Sequence, residues 1–304
     1  MPTSIYSLAP GRIGATVVPV KSVTVSPSII SEQDIHSGNP FPTLVRVSGA
    51  QPKLTMVVPF APAWAAIGSF DVIRVTTLDV YFAKFLNYIR DPGAVHLKLG
   101  LSGTSAAAVM ITGISVDQDG DLNATVEVTP ISDGSFTNPI AITTAALPTL
   151  ASQPLLYTLG PVSINGTVIP GLVSAGADLA QQLIVQRSDG SKYAMAASRV
   201  SATPRLFGEH ADPGAIAAAL TLDGANITAN VIQYFRSYNA VTGVVDNAAS
   251  SGCSLTVAAG RIHPTDFSVA QGAIAKSGFE FLPLSSTTTH PIAVSVAATV
   301  PTVT

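Results

Sequence analysis

The chain repeats itself. Tyr6-Ser7-Leu8-Ala9-Pro10 returns as Tyr157-Thr158-Leu159-Gly160-Pro161, 151 residues later. Thr16-Val17-Val18-Pro19 returns as Thr167-Val168-Ile169-Pro170, Arg46-Val47-Ser48 as Arg199-Val200-Ser201, and Pro52-Lys53-Leu54 as Pro204-Arg205-Leu206. Tyr81-Phe82 answers to Tyr234-Phe235, Pro130-Ile131-Ser132 to Pro283-Leu284-Ser285, and Pro139-Ile140-Ala141 to Pro291-Ile292-Ala293. The matches keep their order and the offset stays between 151 and 153. A period this long is a whole domain, far above the 20 to 50 residues of a solenoid unit. The expectation is an internal duplication, with one domain over residues 1–150 and a second over 151–304. Each half is long enough to bury its own core.

Val, Ile, Thr and Ala dominate, and 24 Gly and 22 Pro punctuate the chain. That is the composition of short strands joined by turns. The predicted class is mainly β: two tandem homologous β-sandwich or barrel domains, each with one short helix and one long loop. Strands are expected at Ala15–Val25, Thr43–Val47, Val72–Leu78, His96–Leu101, Ala107–Val116 and Leu122–Val128, with partners such as Val231–Phe235 in the second half. The helices are expected at Pro62–Ile67 and Pro213–Leu220, with Pro at the first helical position. The Pro-, Ser- and Ala-containing seam from Leu147 to Pro154 carries the boundary. Each half also holds a polar insertion, Ser26–Pro42 and Gln181–Ala194, with Gly38 and Gly190 in matching places. Long loops in compact domains tend to be functional.

Charged residues make up 11% of the chain and hydrophobic ones 47%. So little charge leaves a weakly polar surface that favours association. A net charge of -3 carries no basic footprint for tight nucleic-acid binding. Between Gly134 and Ala177 no side chain is charged, yet prolines at 139, 148, 154, 161 and 170 break any spanning helix. The first residues lack a basic segment followed by an apolar run, so no secretory signal is expected.

Motif searches for chemistry return nothing. There is no G-x-S-x-G, H-E-x-x-H, G-x-x-x-x-G-K-[ST] or G-x-G-x-x-G. His36, His96, His210, His263 and His290 are scattered and read as solvated loop or strand-edge residues. The lone Cys253 reads as a small buried hydrophobe. Glu209-His210-Ala211-Asp212 reads as a polar turn whose Asp caps the helix after it. Asp117-Gln118-Asp119-Gly120-Asp121-Leu122-Asn123 imitates a calcium loop, but Leu122 stands where that loop needs Gly and Val128 where it needs Glu. A hairpin turn is the better reading. The expectation is a protein that is not an enzyme and takes no cofactor and no metal.

Ser37-Gly38-Asn39-Pro40-Phe41-Pro42, the strand from Gln51 to Val58, the Pro62-Ala63-Trp64-Ala65-Ala66-Ile67 helix and the closing Val126-to-Gly134 strand together resemble the tail tube, or major tail, proteins of long-tailed bacteriophages. The duplicated form is similar to those that build trimeric, pseudo-hexameric rings. The resemblance implies stacked rings in the virion tail, assembled in the host cytoplasm, which conduct viral DNA without sequence-specific binding. Its implied partners are further copies of the chain, a tape measure protein and a terminator protein, with no membrane. Ring-stacking residues are then expected in the two insertions: Ile29, Ile30, Glu32, Asp34, His36, Arg187, Asp189 and Lys192. The second half departs from the pattern after Pro283-Leu284-Ser285, where Ser286-Thr287 replaces Asp133-Gly134. Two alternatives stay open: another virion protein (capsid decoration or head-to-tail connector), or a non-catalytic ligand-binding pair of sandwiches.

Overall fold

A computed structural model describes residues 6–34, 41–42, 44–84, 96–134, 137–150, 155–188, 190–217, 223–238, 242–246, 252–268, 276–285 and 289–302. The architecture is mainly β. In the first half the strands are β1 (Tyr6–Leu8), β2 (Gly11–Ile13), β3 (Thr16–Val18), β4 (Ser22–Ser26), β5 (Ile29–Asp34), β6 (Leu44–Ala50) and β7 (Lys53–Pro59). Helix α1 (Phe60–Ile67) follows, then β8 (Ile73–Val75), β9 (Leu78–Lys84), β10 (His96–Leu101), β11 (Ala106–Asp117), β12 (Asn123–Ile131) and β13 (Ile140–Ala145). The second half runs through β14 (Tyr157–Ile164), β15 (Thr167–Ile169), β16 (Leu172–Asp178), β17 (Gln181–Gln186), β18 (Ala196–Ala202) and β19 (Arg205–His210). A short helix α2 (Pro213–Ala217) precedes β20 (Ala225–Asn226), β21 (Val231–Ser237), β22 (Gly252–Val257), β23 (Gly260–Ser268), β24 (Lys276–Pro283) and β25 (Ile292–Ala298).

Two short sheets, one long sheet and two two-stranded ribbons, β5–β6 and β17–β18, carry these strands, and none of the sheets closes. The first short sheet is ordered β13-β10-β9-β2-β3, with β1 also against β9; the second is ordered β25-β22-β21-β14-β15. Position for position the order is the same, with β14 taking the places of both β1 and β2. The long sheet has ten strands in the order β20-β23-β24-β19-β16-β11-β12-β7-β4, and β8 also pairs with β11. Cut between β16 and β11, it falls into two sets of matching order. Even the irregularities match: β11 has a register shift between Ile111 and Gly113, and β23 has one between Pro264 and Asp266.

Alternation explains the layers. In β7, Leu54, Met56 and Val58 are buried while Lys53, Thr55 and Val57 face the other side. In β12, Ala124, Val126 and Val128 point inward in the same way. These inward residues form one core with Ile13, Leu78 and Val80 of the first short sheet and with Phe235, Leu255 and Val257 of the second. Burying each large apolar side chain contributes about 1.5–3 kcal/mol, which is what holds sheet against sheet. The β14–β15 hairpin turns at Asn165-Gly166, both at positive φ, the backbone that a tight right-twisted reversal demands.

Several boundaries differ from the sequence expectation. The single strand expected at Ala15–Val25 is two: β3 lies in the short sheet and β4 in the long one, with the chain crossing between layers at Pro19. Val72–Leu78 likewise divides into β8 and the start of β9. Helix α1 begins at Phe60, so Pro62 is its third residue, and Gly68 ends it in the left-handed region with its N–H on the Trp64 carbonyl. The tail of the helix expected at Pro213–Leu220 lies outside the described residues beyond Ala217. Asp212 caps α2, its Oδ1 accepting the Gly214 N–H at 2.8 Å.

Candidate assembly surfaces

The two polar insertions, expected as loops, each supply the first strand of a two-stranded ribbon; the second strand lies beyond the insertion, and β6 falls where a strand was expected at Thr43–Val47. β5 pairs with β6 from Ile29↔Ala50 to Asp34↔Leu44, and β17 with β18 from Gln181↔Ala202 to Gln186↔Ala196. All these positions correspond at an offset of 152, and both ribbons slip register after their second pair. β5 is exposed along almost its whole length, so its sequence lacks the period-2 pattern of a half-buried strand.

The first arm carries apolar side chains that its own chain leaves uncovered. Ile29 is 61% exposed and Val45 62%, with Ile30, Leu44 and Val47 beside them. Arg46 crosses the ribbon to Glu32 at 2.8 Å and to Asp34 at 3.8 Å. The Ser48 hydroxyl, and then Arg46, hold the Glu32 carboxyl below its usual range. The second arm exposes Ile184 and Val200 but rests on the first half. Gln181 donates to the carbonyls of Phe70 and Ile111 at 2.6 and 2.9 Å, Arg199 pairs with Asp71, and the Lys192 carbonyl accepts the Ala50 N–H at 2.8 Å. The Arg187 guanidinium lies against Gly49. Of the eight residues expected to act in stacking, Ile29, Ile30, Glu32 and Asp34 therefore sit together on β5. Arg187 and Lys192 contact the base of the first arm, while His36 and Asp189 lie outside the described residues. Sequence reasoning missed Leu44, Val45, Val47, Ile184 and Val200; of these only Ile184 lies within a polar insertion, and the others lie just beyond one, in the second strand of each ribbon.

The second surface is the polar face of the long sheet, and most of its basic residues meet an acid. Lys53 meets Glu127 at 2.6 Å and, in the same place of the second half, Arg205 meets Glu280 at 3.0 Å. Arg205 also reaches Asp178 at 3.2 Å, Lys276 reaches Glu209 at 3.2 Å, and Lys21 reaches Asp121 at 2.9 Å. His263 approaches Glu280 at 3.3 Å. Each such exposed pair adds little stability, but together they cancel the sheet's field.

The joint between the halves runs through this sheet. β11 and β16 pair antiparallel over five positions, from Gly113↔Asp178 to Asp117↔Ser174. The Asp117–Asn123 segment is the reversal between β11 and β12, closed by the Gly120 N–H on the Asp117 carbonyl at 2.9 Å. Among the described residues no group of three or more His, Cys, Asp or Glu side chains is placed to hold a metal ion.

Two histidines depart from the expectation of solvent exposure. His96 and His210 are buried; His210 accepts the Asp212 N–H at 2.8 Å and meets the Pro170 carbonyl. His290, half-buried, lies tilted against Phe70 of the other half, with ring centroids 5.0 Å apart, and accepts the Ile292 N–H at 3.2 Å. Asn138 makes the equivalent turn bond to the Ile140 N–H. Burial lowers the His290 pKa, with Arg199 acting the same way and Asp71 against it. The unfolded chain thus binds a proton that the folded chain resists, so stability falls as pH drops through the ordinary imidazole range near about 6.5 and levels off below the depressed value. His290→Asn, which keeps the turn bond, is expected to flatten that part of the melting temperature's pH profile. An unchanged profile would show that His290 does not contribute. Cys253 is buried and its thiol is pushed up to about 12, leaving it unreactive.

No family model matches the chain, and no curated protein matches it.

Proposed function

We propose that this protein is the structural unit of a phage tail tube: copies of the chain close into rings of three, the six halves forming one circular wall, and the rings stack into a conduit for DNA. The observation that carries this reading is the β11–β16 joint. It unites two units of the same strand order edge to edge, and it leaves the corresponding edge of β4, at the far end of the sheet, without a strand partner among the described residues. Equivalent units joined head to tail leave complementary ends, and such contacts generate either a ring or a filament. An unpaired strand edge is otherwise an aggregation hazard.

Two further observations support a tube. The sheet that continues from half to half is the one whose free face pairs most of its bases with acids, which suits a channel wall that DNA must slide past and not bind. The arms stand outside both sheets, and the first exposes a band of aliphatic residues for a neighbouring ring to cover. Electron microscopy of the purified protein tests the reading directly. Stacked rings with an axial hole and six-fold end views, each ring holding three chains, are the expected result. A chain that stays single in light scattering across a wide concentration range, or a ring of six chains, would overturn it.

A further inference from the structure

The joint within the chain specifies the joint between chains. Resting on the ring reading above, we infer that β4 of one copy pairs antiparallel with the far part of β23 of the next, in one register: Ser26 opposite Asp266, Val25 opposite Phe267, and Thr24 opposite Ser268.

The register follows from matching pairings. Against β7, Ser26 lies opposite Lys53 and Ser22 opposite Val57. Against β19, Asp178 lies opposite Arg205 and Ser174 opposite Glu209. β4 therefore holds in the first half the place that Ser174–Asp178 of β16 holds in the second. On the other side, Gly113 lies opposite Thr125 and Ser115 opposite Asn123, while Asp266 lies opposite Gly278 and Ser268 opposite Lys276. Asp266 to Ser268 of β23 thus hold the place of Gly113 to Ser115. β8 covers β11 only over Ala107–Val109, and β20 covers β23 only at Arg261 and Ile262. Beyond the shared bulge both strands turn an edge outward. In β11 that edge is taken by β16; in β23 no strand takes it among the described residues.

The charges fit the same register. Across the internal joint the row reads Gly113, Asp178, Arg205, and the carboxylate meets the guanidinium at 3.2 Å. Across the proposed joint the row reads Asp266, Ser26, Lys53. The acid has moved one strand over and a small residue stands between it and the base, so each row still holds one acid and one base. A shift of one residue would turn Asp266 to the opposite face of the sheet from Lys53. β4 itself, Ser-Val-Thr-Val-Ser, is without charge and largely exposed, as an edge that must accept a neighbour requires.

Paired cysteines read the register, since native Cys253 is buried and unreactive. In the full-length chain, Ser26→Cys with Asp266→Cys, and separately Thr24→Cys with Ser268→Cys, are expected to cross-link between chains on oxidation after assembly. Non-reducing denaturing gels should then show covalent dimers and trimers. Gly113→Cys with Asp178→Cys, the internal counterpart, should cross-link within one chain. Thr24→Cys with Asp266→Cys, two residues out of register, should yield about tenfold less product, because disulfides tolerate little change in Cβ separation. The second in-register pair keeps the test valid if loss of the Asp266 carboxylate, which accepts the Gly278 N–H at 3.1 Å, unfolds the first. Rings that form without cross-linking of either in-register pair, or with equal cross-linking out of register, overturn the β4–β23 pairing and leave the ring reading standing. A parent chain that never assembles overturns both.

Discussion

Excising the first arm is expected to abolish tube growth while sparing the fold. With Ile30–Gly49 replaced by a two-residue Gly-Ser turn, the melting temperature should move by only about 2–4 °C, the equivalent of about 1 kcal/mol in a chain this size. The physical ground is where the arm's side chains lie. Along β5 and β6 every described side chain up to Ser48 is exposed or half-exposed, and only Gly49 and Ala50 at the base are buried. The core therefore loses almost nothing, the Arg46–Glu32 pair is a surface pair of small worth, and shortening a surface excursion changes closure entropy slowly. What is lost is Ile30, Leu44, Val45 and Val47, which no other described residue covers. Microscopy of the variant should show single rings in place of tubes. Tubes of normal length would remove the arm from stacking, and a chain that fails to fold would assign it a structural role. The second arm is a poorer target, because Gln181, Arg199 and Lys192 tie it to the first half.

How much of this was legible in the sequence depends on which physical signal each feature leaves. The repeat was legible because matching places in matching sheets demand matching residues: Pro52-Lys53-Leu54 and Pro204-Arg205-Leu206 both open a central strand whose first base pairs with an acid across the sheet. β12 was legible because one face is buried and alternation follows, and β11 because its first half is buried on both faces and reads as an apolar run. β5 and β17 were misread as loops because neither Ile29-Ile30-Ser31-Glu32-Gln33-Asp34 nor Gln181-Gln182-Leu183-Ile184-Val185-Gln186 alternates between apolar and polar residues. The break at Pro19 was missed because β3 and β4 are both rich in valine, and apolar character does not say which layer a residue enters. His96 and His210 were placed in solvent because a lone polar residue carries no periodicity. The β11–β16 joint left no trace either, since backbone N–H and C=O groups make it and every residue has them. Its only mark is a glycine, Gly176, at the middle position.

That glycine leads to the second large effect expected: Gly176→Val should open the joint. Gly176 lies opposite Ser115, and a Cβ built on it would run into the Ile114 carbonyl oxygen and lie 2.7 Å from Phe207 Cζ and 3.1 Å from Ser115 Cα. Phe207 could swing away at small cost, but the Ile114 carbonyl belongs to the backbone of β11 and can yield only if the strands separate. Overpacking of this kind costs about 1–3 kcal/mol, here concentrated on the five residue pairs of the β11–β16 ladder. Denaturant unfolding is therefore expected to shift to a lower midpoint with a shallower slope, as the halves begin to unfold separately and each exposes less surface per transition. Assembly should fail too, because a ring of alternating internal and external joints needs both. Thr24→Val supplies the comparison. Thr24 holds the same place in β4 that Gly176 holds in β16, yet it lies on an edge that the single chain leaves unpaired, so its substitution should leave unfolding unchanged. A Gly176→Val chain that unfolds at the parent midpoint with the parent slope would mean that β11 and β16 lie side by side without holding the halves together.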